Sequence, residues 1–265
     1  IFPNKSRLGL SVKITTLFTD VYIYTYGMFK ILSVITARSG SKSIKNKNIK
    51  KFNGHPLLAH TIQQSIKSKL INRTILSTDS EKYGNIAIKY GADVPFLRSK
   101  KNSGDRSNDI DTFREVLRKL KKNELPDIIV HLRPTTPLRK KNEIDKAIKL
   151  FILSDCDSLR SVSFSEKNLF KSWFILNNYL KPLYSGKLIK EPWNIGRQQL
   201  PNTYYHNGSI DIFWRKTLLK KNSLSGKRIY PFIQKEFLDL DTMKDFTRLN
   251  KIDKKILKKY ELITS

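Results

Sequence analysis

Cysteine is nearly absent: Cys156 is the single one in 265 residues. No intrachain disulfide can form, and a reducing compartment, the cytoplasm, is the expected setting. Its acidic neighbours Asp155 and Asp157 discourage a reactive thiolate, so it is assigned no chemistry. No run approaches the roughly 18 apolar residues that cross a bilayer, and no membrane partner is expected. The four histidines, His55, His60, His131 and His206, lack metal-ligand spacing, and His60 reads as a structural hydrogen-bonder on a helix. Gly-x-Ser-x-Gly and P-loop signatures are missing, as are fixed-period repeats. Carboxylates are the scarce charge, with 23 Asp and Glu against 51 Lys and Arg and a net charge of +28. Such a balance raises nucleic-acid binding. The lysines, however, are scattered over the whole chain, and no arginine-rich tail, zinc-finger spacing or RNP-type aromatic strand accompanies them. Attraction of small anionic substrates is the expectation, without a nucleic-acid partner.

What is present is an ordinary globular composition, 39% hydrophobic and 28% charged, long enough for one large α/β domain or two small ones. Residues 31–48 say most. An apolar β-branched run breaks into a Gly/Ser loop carrying Arg38, Lys42, Lys45 and Lys47. In an open α/β sheet, ligands bind beyond the carboxyl ends of the strands, and a loop feeding a helix offers unpaired N–H groups to phosphate. Gly40 is read as permitting close backbone approach, with Ser41 as a hydroxyl donor. A solvated basic turn is the competing reading of this segment alone.

Beyond the loop, strand-like and helix-like segments alternate. Pro56 opens a helix with Leu57, Leu58, Ile62 and Ile66 on one face. A strand over 73–77 ends at Ser77-Thr78-Asp79, and Ser80 caps a helix that stops at Gly91. A helix follows Asp109, with Phe113, Val116, Leu117 and Leu120 inward, and residues 127–132 read as a buried parallel strand. A helix over 142–153 and strands over 158–163, 209–214 and 228–233 continue the pattern, and a helix from Thr242 closes it. The run of β–α units predicts a mainly parallel, doubly wound sheet. Residues 165–206, with Trp173, Trp193 and turn residues Asn177-Asn178 and Ser185-Gly186, interrupt the rhythm as a hairpin-like arm for a partner subunit, or else as a lid or surface insertion. Met28 precedes the first strand closely, so residues 1–29 are read as an extension, non-native or poorly ordered, whose first 27 residues are dispensable for chemistry. In Phe237-Leu238-Asp239-Leu240-Asp241-Thr242, strand alternation puts Asp239 and Asp241 on one side, where two carboxylates can share a hard cation. An exposed strand end with an Asp cap is the plainer alternative.

Ala37-Arg38-x-Gly40-Ser41-Lys42-x-x-x-x-Lys47-Asn48, Ser77-Thr78-Asp79, Arg133-Pro-Thr-Thr-Pro-Leu-Arg139, Arg197-Gln-Gln-Leu-Pro201, Asn207-Gly208 and Asp239-x-Asp241 occur in the order found in the acylneuraminate cytidylyltransferases. Over about residues 31–250 the chain resembles this family of CMP-sialic acid synthetases. The resemblance implies a mixed, mainly parallel α/β nucleotidyltransferase domain over 30–262 and a homodimer joined through the 165–206 arm. It also implies transfer of CMP from CTP to an acidic 2-keto sugar, sialic acid or a related nonulosonate, with Mg²⁺ or Mn²⁺. A synthetase for the eight-carbon acid Kdo is the alternative, and a non-catalytic basic binding protein the remote one. Carried over by position, Arg38, Ser41, Lys42 and Lys47 would hold the triphosphate, with Arg38, Lys42 and Lys47 carrying the catalytic charge and Asn48 bracing the loop. Arg98, Ser107 and Asp109 would meet base and ribose, and Asp239 and Asp241 the metal. Arg133, Thr135, Thr136, Lys171, Arg197 and Gln198 would meet the sugar. Arg133 stands where many members carry a sugar-contacting glutamine, and Tyr205 where a basic residue is common, so the acceptor stays open.

Overall fold

The structure, a computed structural model, describes residues 28–184, 186, 189–235 and 237–263. The segment 1–27 read as an extension and Ser185 of the second arm turn lie outside them. Of the remaining extension residues, Phe29 packs edge-on against Trp214, with ring centroids 5.3 Å apart.

The central sheet has six strands: β1 (Ile31–Thr36), β4 (Arg73–Ser77), β5 (Ile128–Leu132), β6 (Ser158–Phe164), β9 (Tyr204–Trp214) and β10 (Ile229–Ile233), in the order β10-β6-β9-β5-β1-β4. Short hairpins form β2 (Lys51–Phe52) with β3 (His55–Pro56) and β7 (Trp173–Leu176) with β8 (Tyr179–Pro182). Within the six-stranded sheet β9 alone runs antiparallel, against both β5 and β6, so the sheet is mixed and mainly parallel as the β–α rhythm requires.

Helices cover both faces: α1 (Leu57–Ile66), α2 (Glu81–Lys89), α3 (Asp109–Lys119), α4 (Glu143–Leu153) and α5 (Arg215–Lys221), followed by α6 (Met243–Asn250) and α7 (Lys254–Leu257). The pleat of β1 sorts its residues between two cores. Ile31 and Ile35 join Leu58 and Ile62 of α1, Tyr83 of α2 and Ile148 of α4, whereas Leu32 and Val34 join Phe113 and Val116 of α3 and Leu218 of α5. The predicted Ser80 cap forms, its Oγ accepting from the Tyr83 N–H, and at the start of α6 Thr242 and Asp245 make a reciprocal capping box. Gly91 takes φ +90° just beyond α2. Ile66, expected inward, is exposed, because it is the last residue of α1 and lies beside Gly91.

A third apolar cluster, built on Phe52, Leu57, Leu240, Phe246, Leu249 and Tyr260, docks the C-terminal segment beside the start of α1. The arm is a hairpin of β7 and β8 turned by Asn177 and Asn178, both at positive φ as a two-residue turn demands. Among the described residues, no helix is long and apolar enough to cross a membrane.

His60 joins α1 to the third cluster as the sequence suggested. Its Nε2 donates to the Phe52 carbonyl at 2.8 Å and its Nδ1 accepts from the Ile263 N–H at 3.3 Å, which fixes a neutral ring. Burial pushes its pKa down to about 4, against an unfolded value of about 6.5. The unfolded chain therefore binds this proton first, and the stability contributed by neutral His60, full above pH 6.5, is lost as pH falls towards 4. Urea unfolding should show stability declining across that window. His60→Gln should flatten the decline, and an unchanged slope in the variant would remove His60 as its source.

Candidate active site

The carboxyl ends of β1 and β5 open into a cleft of about 500 Å³ that Thr36, Arg38, Arg98, Asp109, Arg133 and Asp241 line, among others. It sits where an open parallel sheet presents its ligand crevice. Residues 37–46 leave β1 as a loop whose two sides are clamped. Asn48 Nδ2 donates to the Arg38 carbonyl at 3.2 Å, and the Asp79 carboxylate accepts from the Ser39 N–H at 2.8 Å and its hydroxyl at 3.1 Å. Contrary to the expectation from the sequence, this loop does not feed a helix directly. A single turn over Lys47–Ile49 and the β2–β3 hairpin intervene before α1, because Pro56 delays the helix start. A Cβ on Gly40 would meet no protein atom within 4 Å, so packing does not require glycine there.

Arg38, Ser41, Lys42, Lys47 and Asn48 all reach the cleft. Arg38 and Lys42 converge on Asp105, at 2.7 and 2.5 Å, and these paired cations draw its carboxyl below the usual range. Lys47 is buried and donates from Nζ to the Leu240 carbonyl at 2.8 Å and to Asp241 Oδ1 at 3.3 Å. The early basic loop and Asp241 of the late acidic pair thus share one wall. Across the cleft, Arg98, Ser107 and Asp109 line the same space. Arg98 is tied by its Nε to Ser77 Oγ at 3.1 Å, and burial lowers its guanidinium pKa against the pull of Asp79 and Asp109.

The acidic pair does not lie on a strand. Residues 237–241 belong to no sheet, because Leu240 is drawn into the third cluster and its N–H pairs singly with the Thr135 carbonyl at 3.0 Å. The two carboxylates are therefore unlike. Asp241 is 72% exposed and lines the cleft, whereas Asp239 Oδ1 is buried without a hydrogen-bond partner. Burial, and then the neighbouring Asp241, raise the Asp239 pKa, with Thr135 and Lys47 opposing. An orphaned buried carboxylate oxygen beside a second carboxylate is a hard donor set of the kind Mg²⁺ takes, with water and phosphate completing its shell. Among the described residues no cluster of three or more His, Cys, Asp or Glu could hold a metal ion, so substrate oxygens would have to share the coordination.

The positions expected at the sugar divide. Arg133 and Thr135 line the cleft. Thr136 does not: it is buried, its hydroxyl donating to the Arg133 carbonyl at 3.1 Å and accepting from Arg139 Nη2 at 2.9 Å. Lys171, Arg197 and Gln198 are exposed on the arm outside the cleft lining, and Arg197 Nη2 donates to the Glu166 carbonyl. Two polar groups escaped the sequence reading. Arg139 is fully buried and spends its guanidinium on Ser209, Thr61, Gln64, Arg133 and Thr136, pinning the Pro-Thr-Thr-Pro turn to β9 and α1; burial pushes its pKa down to about 9. Asp211, with no side-chain exposure, accepts from Arg133 at 2.9 Å, Arg160 at 2.8 Å and His206 at 2.7 Å. The signal for Asp211 was present: a lone acid inside Ile210-Asp211-Ile212 of an apolar strand requires buried cationic partners.

Asp105 occupies the two cations that a polyphosphate would need. Asp105→Asn should therefore tighten binding of inorganic tripolyphosphate roughly two- to fivefold, the scale of one exposed ion pair. Calorimetric titration at low salt measures it, and weaker binding in the variant would show that Asp105 helps rather than competes.

Residues 32–262 match the family model described as cytidylyltransferase. A CMP-N,N′-diacetyllegionaminic acid synthase of Legionella pneumophila is 32% identical over 227 residues, covering 84% of this chain and 96% of that protein. An N-acylneuraminate cytidylyltransferase of Streptococcus agalactiae serotype V is 34% identical over 221 residues, covering 82% of this chain and 52% of that protein. Among solved structures, a CMP:2-keto-3-deoxy-manno-octonic acid synthetase complexed with CTP superimposes with a TM-score of 0.61 at 15% identity, over 83% of this chain and 97% of that one, which is a likeness of fold. The match to the family model spans nearly all of the described domain, and two relatives above 30% identity accompany it: the chain belongs to the cytidylyltransferase family.

Proposed function

We propose that this chain transfers CMP from CTP to the anomeric hydroxyl of an acidic nine-carbon 2-keto sugar and releases pyrophosphate. The observation that carries the reading is the convergence of Arg38, Lys42 and Lys47 with Asp241 on one cleft at the carboxyl ends of β1 and β5. The names of the Legionella and Streptococcus relatives support the acceptor class. The eight-carbon acid remains the second candidate, since the CTP-bound synthetase for it shares the fold.

Two anions must meet in this reaction. Unit like charges about 4 Å apart repel by about 4 kcal/mol at an effective dielectric constant of 20, about three decades of rate. Arg38, Lys42 and Lys47 offset this repulsion by holding the triphosphate, with Ser41 donating and Asn48 bracing the loop. Arg98, Ser107 and Asp109 hold base and ribose, while Thr135 of the cleft and Lys171, Arg197 and Gln198 of the arm meet the acidic sugar. As the anomeric oxygen bonds to the α-phosphorus, the bond from that phosphorus to the pyrophosphate oxygen breaks and the hydroxyl proton passes to water, and positioning carries most of the acceleration. Asp239 and Asp241 would hold Mg²⁺ or Mn²⁺, which when bound neutralises phosphate charge.

The arm supports a homodimer. Trp173, Phe174, Ile175, Leu176, Tyr179 and Leu180 are all exposed, and a two-stranded hairpin is only marginally stable by itself in water. A second copy that covers this ribbon would also bring the arm's cations near a cleft. The lone, buried Cys156 fits a cytoplasmic enzyme.

Pyrophosphate release should require CTP, a divalent cation and one member of a panel containing N-acetylneuraminate, N,N′-diacetyllegionaminate, pseudaminate and 2-keto-3-deoxy-manno-octonate. Silence with every acid would sink the reading. Asp239→Asn should lower turnover on the order of 10²-fold with an unchanged melting temperature, and near-normal turnover would remove the metal assignment. Ile175→Asp should convert a dimer to a monomer in light scattering; a native chain that is already monomeric at micromolar concentration would remove the homodimer.

A further inference from the structure

Arg133 lines the cleft next to Thr135, where a sugar acid would be expected to find a cation. Its charge is already committed. Nη1 donates to Asp211 Oδ2 at 2.9 Å and to the Gly208 carbonyl at 3.1 Å, and Nη2 donates to Asp109 Oδ2 at 3.0 Å. Two carboxylates and a carbonyl thus face one guanidinium, in a planar fork that a lysine could not reproduce. The two carboxylates differ. Asp211 is fully buried and keeps Arg160 and His206 without Arg133, whereas the Asp109 side chain is 50% exposed on the cleft, and Arg133 is the cation it pairs with at 3.0 Å. Asp211 therefore anchors Arg133, and Arg133 in turn sets the position of Asp109.

The backbone is shaped for this arrangement. Where β9 slips register against β6, between the pairings of Arg160 and Val162, Gly208 takes φ +67°. A Cβ there would stand 2.5 Å from Arg133 Nη1, so a side chain at this bulge would displace the guanidinium. Asp109 opens α3, and its cleft neighbours Thr112 and Ser107 come from the same stretch of chain.

We infer that Arg133 is a positioning residue on the nucleotide side, which fixes Asp109 towards CTP through an Asp211–Arg133–Asp109 relay anchored on the buried Asp211, and that it is not the cation that binds the sugar carboxylate. The inference rests on the proposed CMP transfer for the identity of the nucleotide, and it relocates Arg133 from the sugar contacts implied by resemblance. The acceptor's carboxylate is then left to cations elsewhere.

The test is equilibrium binding of CTP with Mg²⁺, by calorimetry, to the full chain and its Arg133→Gln, Asp109→Asn and doubly substituted forms. Asp211 retains Arg160 and His206 in Arg133→Gln, and Asp109→Asn alters only a half-exposed group, so at least one single variant keeps the fold; melting temperatures verify this. Each single substitution should weaken CTP binding about tenfold, and the double variant should lose no more than either alone, as residues acting in one unit do. Steady-state kinetics with the panel acid that is turned over fastest should show an unchanged KM for the acid in Arg133→Gln. CTP affinity within twofold of the native chain in both single variants, or losses that multiply in the double variant, would overturn the relay. A KM for the acid raised tenfold at unchanged CTP affinity would return Arg133 to the sugar. CTP binding is read without an acceptor, so inactivity towards every acid would count against the proposed reaction and leave this result standing.

Discussion

Lys47 bridges 193 positions of chain to the Leu240 carbonyl, and on this contact the geometry of the cleft depends. The ammonium also approaches Asp241, but that carboxylate is largely exposed, and solvated ion pairs contribute only about 0.2–1 kcal/mol. Burying a leucine side chain completely contributes about 1.5–3 kcal/mol. Leu240 is fully buried among Phe52, Leu57, Phe246 and Leu249. The hydrophobic anchor therefore outweighs the ion pair in holding the C-terminal segment against the basic loop. Lys47 is fixed in place by a carbonyl, a weak competitor for its charge, and this leaves the cation able to turn to an anionic ligand.

A second consequence concerns β9. Its carboxyl half, through Ile210, Ile212 and Phe213, lies in the cores of the sheet, while its start at Tyr204 and Tyr205 pairs with β6 beside the arm. One continuous strand thus joins the hairpin, the bulge at Gly208 and the buried Asp211. That strand meets Arg133 twice, at the Gly208 carbonyl and at the Asp211 carboxylate. Arg139 adds a second link by holding the Ser209 carbonyl and the Arg133 carbonyl with the same guanidinium, and its donors are all matched by neutral acceptors.

The sheet was readable because its signals are local. The strand over 73–77 and the capped ends of α2 and α6 depend on residues a few positions apart, so pattern and turn chemistry suffice. The site was readable only as a list of cations and acids. Asp105, in the turn between α2 and α3 and part of no recognisable motif, gave no hint that it would close over Arg38 and Lys42, since that meeting depends on the segment before α3 folding back over the loop that follows β1. The acidic pair read as a strand because Leu238 and Leu240 alternate with the aspartates, yet alternation alone does not supply a neighbour to pair with. Thr136 looked available beside Thr135. Its hydroxyl is consumed by Arg139, a demand that arises only when a guanidinium is buried without a carboxylate.

The same carboxylates temper the positive field of the cleft in a chain of net charge +28. Asp79 clamps the loop, Asp105 pairs with Arg38 and Lys42, and Asp109 and Asp211 pair with Arg133. A continuous basic stripe would bind phosphate backbone wherever it met it, with affinity set by counterion release. Arg38 and Lys42 carry a built-in competitor, so a phosphate that meets them must replace a carboxylate as well as release water. A volume of about 500 Å³ lies within the range of small-ligand sites, roughly 300–1,000 Å³, and is too confined for a duplex. A compact ligand that delivers several phosphate charges into the concavity at once meets both partners of Asp105 together, and the net positive charge of the chain raises its rate of encounter.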